Sequence, residues 1–396
     1  MSRTRKILLG AGLAVALFAG CSNSSSGGSD SEGGSDNSGN TDGTETTTSD
    51  KDAVSAPDEP GPYQVGRKVI ELNDESRGRT LTADVWYPVD PGVTAEKSIY
   101  QFIPGIELAS LTALSEAPVS AAGPFPLVVY SHGSGGLRYI ASWFTEALAS
   151  HGFVVVAVDH SGNTALDAVT GADTPRPVNA LNRVQDVQFL ITAMLDISAT
   201  PGDSLSNTID PDRIGVTGHS FGGFTTLGTA GGYSNELGAV PADSRVKAIA
   251  VMAPYSELNS NEALEAIKIP SLLVAGALDT TTPIKNDTTR PWELISGRPL
   301  LRMDINKAGH QSFTDVCRYQ DSLSTLPNLP QVFIDVVNEM ALEGCTKELI
   351  PIEEAHKITN GVTIAFLQTY VAGEAGYESF LAPKNAPQGT KLQVKN

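Results

Sequence analysis

From about residue 61 onward, apolar and polar positions follow regular patterns. The stretches "YQVGRKVIEL" (63–72) and "RTLTADVWYPVD" (79–90) alternate between the two classes. That period of two predicts an antiparallel hairpin with one covered face. Later runs are apolar throughout. "PFPLVVYSHG", "FVVVAVDH" and "DRIGVTG" suit strands buried on both faces, as do "RVKAIAVMAP", "IPSLLVAGALD" and "RPLLRMDINKAGH". Helical spacing runs through "LRYIASWFTEALASHG", "NALNRVQDVQFLITAMLDI" and, last, "HKITNGVTIAFLQTYVAG"; "FGGFTTLGTAGG" begins a helix of small residues. Buried strands alternating with helices predict an α/β protein. Its sheet is mostly parallel, with helices on both faces and an antiparallel hairpin at the front. Sites in such open sheets form at the carboxyl ends of strands.

The first sixty residues follow other rules. Arg3, Arg5 and Lys6 precede the short apolar run "ILLGAGLAVALFAG", and Cys21 comes next. A basic start followed by an apolar core ending in small residues is a targeting segment, read here as 1–20. "FAGC" resembles the lipobox of bacterial lipoproteins, with Phe18 standing where leucine is usual. That resemblance implies a lipid on Cys21, which would hold the protein on a membrane of the cell envelope, outside the cytoplasm. The alternative is a plain signal peptide with an incidental cysteine. Residues 21–60 are mostly Ser, Gly, Asp and Thr, too polar to bury a core, and read as a tether. Residues 61–396 form the remaining domain. The net charge of −18 over 396 residues would repel a phosphate backbone, so nucleic-acid binding is disfavoured. Beyond the first residues no run of ~18 apolar residues could span a bilayer. Two other cysteines remain, Cys317 and Cys345. In an exported chain an even pair points to a disulfide; the alternative is two buried free thiols.

The candidate chemistry centres on "IGVTGHSFGGF" (214–224), which contains the G-x-S-x-G pattern around Ser220. A predicted strand ends at Gly218 and a predicted helix begins just past Ser220. So tight a turn strains the serine backbone and exposes its hydroxyl, and it leaves no room for side chains at Gly218 and Gly222. A serine hydroxyl needs a base to become nucleophilic. In the chain order Ser, acid, His, only His310 and His356 come late enough. His310 follows the last predicted strand, whereas His356 sits mid-helix and reads as a surface residue. The acid is expected after the preceding strand, where Asp279 stands. Asp304 and Asp315 read as solvated charges. Two backbone N–H groups would hold a developing oxyanion: that of Phe221 after the serine, and that of Ser134 in the loop "YSHGSGG". No two histidines share helical or hairpin spacing with a carboxylate partner, so no metal is expected. The glycine loops lack the G-K-[ST] of a phosphate loop.

In this order, "VVYSHGSGG", "VVVAVDHSGNT", "IGVTGHSFGG", "LLVAGALD" and "AGHQSFTDVC" resemble α/β-hydrolases. The likeness is to the plasma-type platelet-activating-factor acetylhydrolase and dienelactone-hydrolase-like group, and more distantly to bacterial cutinase-like polyester hydrolases. It covers most of residues 61–381. It implies the α/β-hydrolase fold, with Ser220 as nucleophile, Asp279 as acid, His310 as base, and Ser134 and Phe221 as oxyanion donors. It implies a cofactor-free serine esterase acting on small or polymeric esters with short to medium acyl chains. Polyester, peptide or acyl-transfer chemistry on the same fold is the alternative, as is a non-catalytic surface lipoprotein. Two insertions, 93–122 and 314–350, depart from a minimal hydrolase and are expected to shape an acyl pocket or lid.

Overall fold

The computed structural model describes residues 54–103, 106–323, 329 and 331–396. The targeting segment, Cys21 and nearly all of the tether lie outside the described residues. The strands are β1 (Gln64–Asp74), β2 (Arg79–Val89), β3 (Lys97–Ile103), β4 (Ile106–Ser115), β5 (Phe125–Ser131), β6 (Val154–Val158) and β7 (Ile209–His219). They continue with β8 (Tyr233–Asn235), β9 (Gly238–Val240), β10 (Val246–Met252), β11 (Ser271–Gly276), β12 (Leu300–Ile305) and β13 (Thr390–Lys395). The helices are α1 (Ser142–Ser150), α2 (Ala165–Thr170), α3 (Arg176–Ala199), α4 (Phe221–Gly231), α5 (Asn261–Ala266), α6 (Thr289–Leu294), α7 (Val316–Leu323), α8 (Gln331–Ala341) and α9 (Ile352–Leu367).

Eleven strands form one sheet in the order β13-β12-β11-β10-β7-β5-β6-β2-β1-β4-β3. From β6 through β12 every neighbour is parallel. The front hairpin β1–β2 is antiparallel, as the alternation predicts. In the parallel centre the pleat divides each strand between two cores. Val128 and Tyr130 of β5 face α1 and α9, with Trp143, Phe144 and Phe366. Leu127 and Val129 face the other way, toward Val187, Leu190 and Met194 of α3. This is the α/β-hydrolase arrangement expected from the sequence. Its central strands β5, β7, β11 and β12 end on one side of the sheet, where the site lies.

The structure also departs from the sequence reading. Insertion 93–122 forms no part of the cleft lining described below. Its strands β3 and β4 extend the sheet beyond β1, where β4 pairs in parallel through Gly66–Leu114 and Arg67–Ser115. The buried Glu146 of α1 holds this addition by accepting from Tyr100 and Ser110 at 2.7 Å and from the Thr112 backbone at 2.6 Å. Strand β13 is also unforeseen. It pairs antiparallel with β12 and covers that edge. Residues 54–60, assigned to the tether, pack on the body: Pro57 is buried, and the Glu59 carbonyl lies 2.9 Å from His151 Nε2. Their Ser and Pro content hides contacts that only the docked position supplies.

Candidate active site

Ser220 caps α4 with φ 57° and ψ −118°, a left-handed conformation unfavourable for a residue with a Cβ. The turn is held from three sides. The Ser220 N–H donates to Met252 O at 3.0 Å, and Ser220 O accepts from Gly223 N and Tyr255 N. The flanking glycines are needed for space. A Cβ on Gly222 would fall 1.8 Å from Ser131 O, and one on Gly218 2.5 Å from Gly222 O.

Ser220, His310 and Asp279 lie in one hydrogen-bonded chain. His310 Nε2 is 2.8 Å from Ser220 Oγ, and His310 Nδ1 is 2.8 Å from Asp279 Oδ2. His310 sits in the loop after β12, and Asp279 in the loop after β11. Asp279 Oδ1 accepts from the N–H groups of Thr281 at 2.9 Å and Thr282 at 2.7 Å, which fixes the carboxylate. Burial pushes the Asp279 carboxyl up, but the hydrogen bond and charge of His310, with the Thr282 donors, outweigh it and hold it below the usual range.

Ser134 and Phe221 both line a cleft of about 650 Å³ that reaches Ser220. Phe221 is the first residue of α4, where N–H groups have no acceptor within the helix. Among the described residues no backbone acceptor takes the Ser134 N–H. The cleft is also lined by Asn163, Arg176, Tyr255 and Thr282. Tyr255 carries the Arg176 guanidinium 4.5 Å over its ring.

Several important neighbours are not apparent from the sequence. His219, the unspecified position of the G-x-S-x-G pattern, places Nε2 2.9 Å from His310 O and so ties the serine turn to the histidine loop. Burial, then the charge of His310, pulls its ring down to about 3, so it is neutral. His356 is not a free surface residue: it stacks on Trp143 with centroids 3.8 Å apart. Burial pulls it to about 3. Asp315 is not a solvated charge either. It is 2% exposed, and its Oδ2 accepts from Ser142 N at 2.7 Å and Ser142 Oγ at 2.6 Å. Asp304 is no free solvated charge: it is half-buried and pairs with the buried Arg302 at 2.8 Å. The corrections at Asp315 and His356 share a cause: the start of insertion 314–350 and α9 both pack onto α1, where Ser142 and Trp143 meet them.

Cys317 and Cys345 form a disulfide. The insertion it closes reaches the site through Glu343, whose carbonyl accepts from Gln311 N at 2.9 Å. The Glu343 carboxylate accepts from Thr281 Oγ1 at 3.1 Å and also from Thr280 Oγ1. Among the described residues, Asp279, His310 and Glu343 form the one acidic-histidine group with ligand atoms within 4.8 Å of one another. Those atoms are already engaged, Asp279 with His310 and Glu343 with the threonines.

A family model described as PETase, PET hydrolase-like, matches residues 117–321, just over half of the chain. The chain belongs to this PET hydrolase-like family. The segment runs from before β5 into α7 and includes Ser220, Asp279 and His310. Cutinase est1 of Thermobifida alba is 29% identical over 184 residues, which cover 46% of this chain and 52% of the relative. The platelet-activating factor acetylhydrolase of Canis lupus familiaris is 31% identical over 147 residues, covering 28% of this chain and 33% of that one. The chain thus spans about half the length of the first relative and a third of the second. A solved ferulic acid esterase from Streptomyces cinnamoneus superposes with a TM-score of 0.61 at 24% identity, covering 84% of this chain and 97% of that one. At that identity the likeness concerns the fold alone. Both groups named from the sequence motifs reappear, and the family model falls on the cutinase-like side.

Proposed function

We propose that this member of the PET hydrolase-like family is a serine carboxylic-ester hydrolase that acts through an acyl-enzyme. The observation that carries the reading is the 2.8 Å Ser220–His310–Asp279 chain, whose serine lines the cleft. Ser220 Oγ attacks the ester carbonyl carbon while His310 Nε2 takes its proton. The carbonyl π electrons move to oxygen, and that oxyanion is held by the N–H groups of Ser134 and Phe221. Asp279, kept ionised by its donors, stabilises the imidazolium that results. Collapse breaks the carbonyl–alkoxide bond, and His310 returns the proton to the leaving oxygen. A water, deprotonated by the same nitrogen, then cleaves the acyl-serine to release the acid and restore Ser220.

The relatives named cutinase and the open cleft support polymeric as well as small esters as substrates. Tyr255, half-buried beside Ser220 with the Arg176 guanidinium over its ring, supplies aromatic surface for an acyl or aromatic group. Activity on p-nitrophenyl esters from acetate to decanoate tests the reading. The parent should turn over the short and medium chains. Ser220→Ala should lose about 10⁴-fold or more in kcat and all labelling by a fluorophosphonate. Residual activity near the parent's would remove Ser220 from the mechanism.

A further inference from the structure

Arg183 lies in the first third of α3 and is 1% exposed. A buried charge is costly unless it is paired or richly hydrogen-bonded. Among the described residues no carboxylate lies within ion-pair distance of it. Asp186, one turn along the same helix, binds Arg77, Arg79 and His160 instead. Among the described residues the Arg183 guanidinium donates only to neutral acceptors. These are Asn163 Oδ1 at 2.7 Å, Thr225 Oγ1 and Ser131 Oγ at 3.2 Å, and the His132 carbonyl. Burial brings it down to about 9, with the charge of Asp186 opposing, so it remains a cation at neutral pH.

The acceptors show what the charge is for. The His132 carbonyl and Ser131 Oγ belong to the segment that leads into Ser134. Asn163 passes the contact on: its Nδ2 donates to Ser134 Oγ at 3.1 Å, and its carbonyl accepts from Gly135 N at 3.2 Å. The same guanidinium lies 5.0 Å from the centroid of the Phe221 ring, and Thr225 is one turn further along α4. Arg183 therefore grips the two segments that carry Ser134 and Phe221. A planar fork can hold several carbonyl and amide oxygens in fixed directions at once, which an ammonium cannot.

We propose that Arg183 is the positioning residue of the oxyanion site: it fixes the spacing between the Ser134 and Phe221 N–H groups and places a buried positive charge behind them. This rests on the reading of Ser220 as the nucleophile. A purely structural role would lower stability alone. A positioning role must appear in the transition state, because fixed donors act where negative charge develops.

The test uses the full-length chain, p-nitrophenyl acetate, and an alkyl boronic acid that forms a tetrahedral anion on the serine. Labelling of Ser220 in the parent by a fluorophosphonate comes first; failure there overturns the serine-hydrolase reading itself. In Arg183→Met, kcat should fall roughly 30- to 300-fold while KM stays within about threefold. Boronic-acid affinity should fall by the same factor as kcat/KM. If that variant does not fold, Asn163→Ala breaks the relay to Ser134 and should lower kcat about 5- to 20-fold, with a matching loss of boronic-acid affinity. A labelled, active parent overturns the Arg183 proposal alone under either of two results. One is a folded Arg183→Met, or failing that Asn163→Ala, with kcat within about threefold of the parent's. The other is a rate loss with unchanged boronic-acid affinity.

Discussion

At the residue scale, roles follow from what each side chain is packed against. The sharp turn at Ser220 was legible because the glycines around it report a bend too tight for side chains, and the Gly222 collision with Ser131 O shows why. Asp279 and His310 were legible because chain order and strand ends locate them. Asp315 was not, since nothing local shows that Ser142 of α1 meets it. Its burial allows a prediction. Burial pushes the Asp315 carboxyl up to about 6, against an ordinary 3.8. A folded value above the unfolded one means that the fold prefers the protonated acid. This group's contribution is therefore full below about pH 4 and is lost as pH rises through 6. Asp315→Asn, which copies the neutral form, should gain on the parent by about 1 to 3 kcal/mol between pH 4 and 7. Urea unfolding of both proteins across that window is the measurement, and parallel pH profiles would contradict the assignment.

At the element scale, the central strands announce themselves because burial on both faces leaves an unbroken apolar run. The edge elements do not. β3, β4 and β13 are half covered, and their pairing depends on which edge of the sheet is free. The 314–350 insertion is similar: its two cysteines suggest a clip, but not that Glu343 would reach the loops of Asp279 and His310. The disulfide closes a loop with a sequence separation of 28. Cys345→Ser should cost about 3.6 kcal/mol on the chain-entropy account. Because Glu343 binds Gln311, Thr280 and Thr281, activity should be lost at a lower temperature than in the parent. Residual esterase activity after graded heating measures this, and an unchanged inactivation midpoint would mean that the insertion is held by packing alone.

At the scale of the whole molecule, the folded body begins earlier than composition suggests. Val54 packs against the core, and Lys357 reaches Asp58 at 3.6 Å and also Glu59. A chain cut to residues 61–396 should melt a few degrees below one cut to 54–396, in line with losing about 1 to 2 kcal/mol of contacts. Calorimetry of the two truncations decides it; equal melting points would return 54–60 to the tether. No described helix is long and apolar enough to cross a membrane. The sequence by itself determined the layered α/β class, the strand-turn-helix around Ser220 and the order of its partners, because periodicity and steric demands on glycine are local. Only the tertiary structure decided that His219 ties two loops together, that Asp315 and His356 are enclosed, and that Arg183 stands behind the Ser134 and Phe221 segments. Those facts arise from residues far apart in the chain meeting in a space with little water, and no local pattern encodes such a meeting.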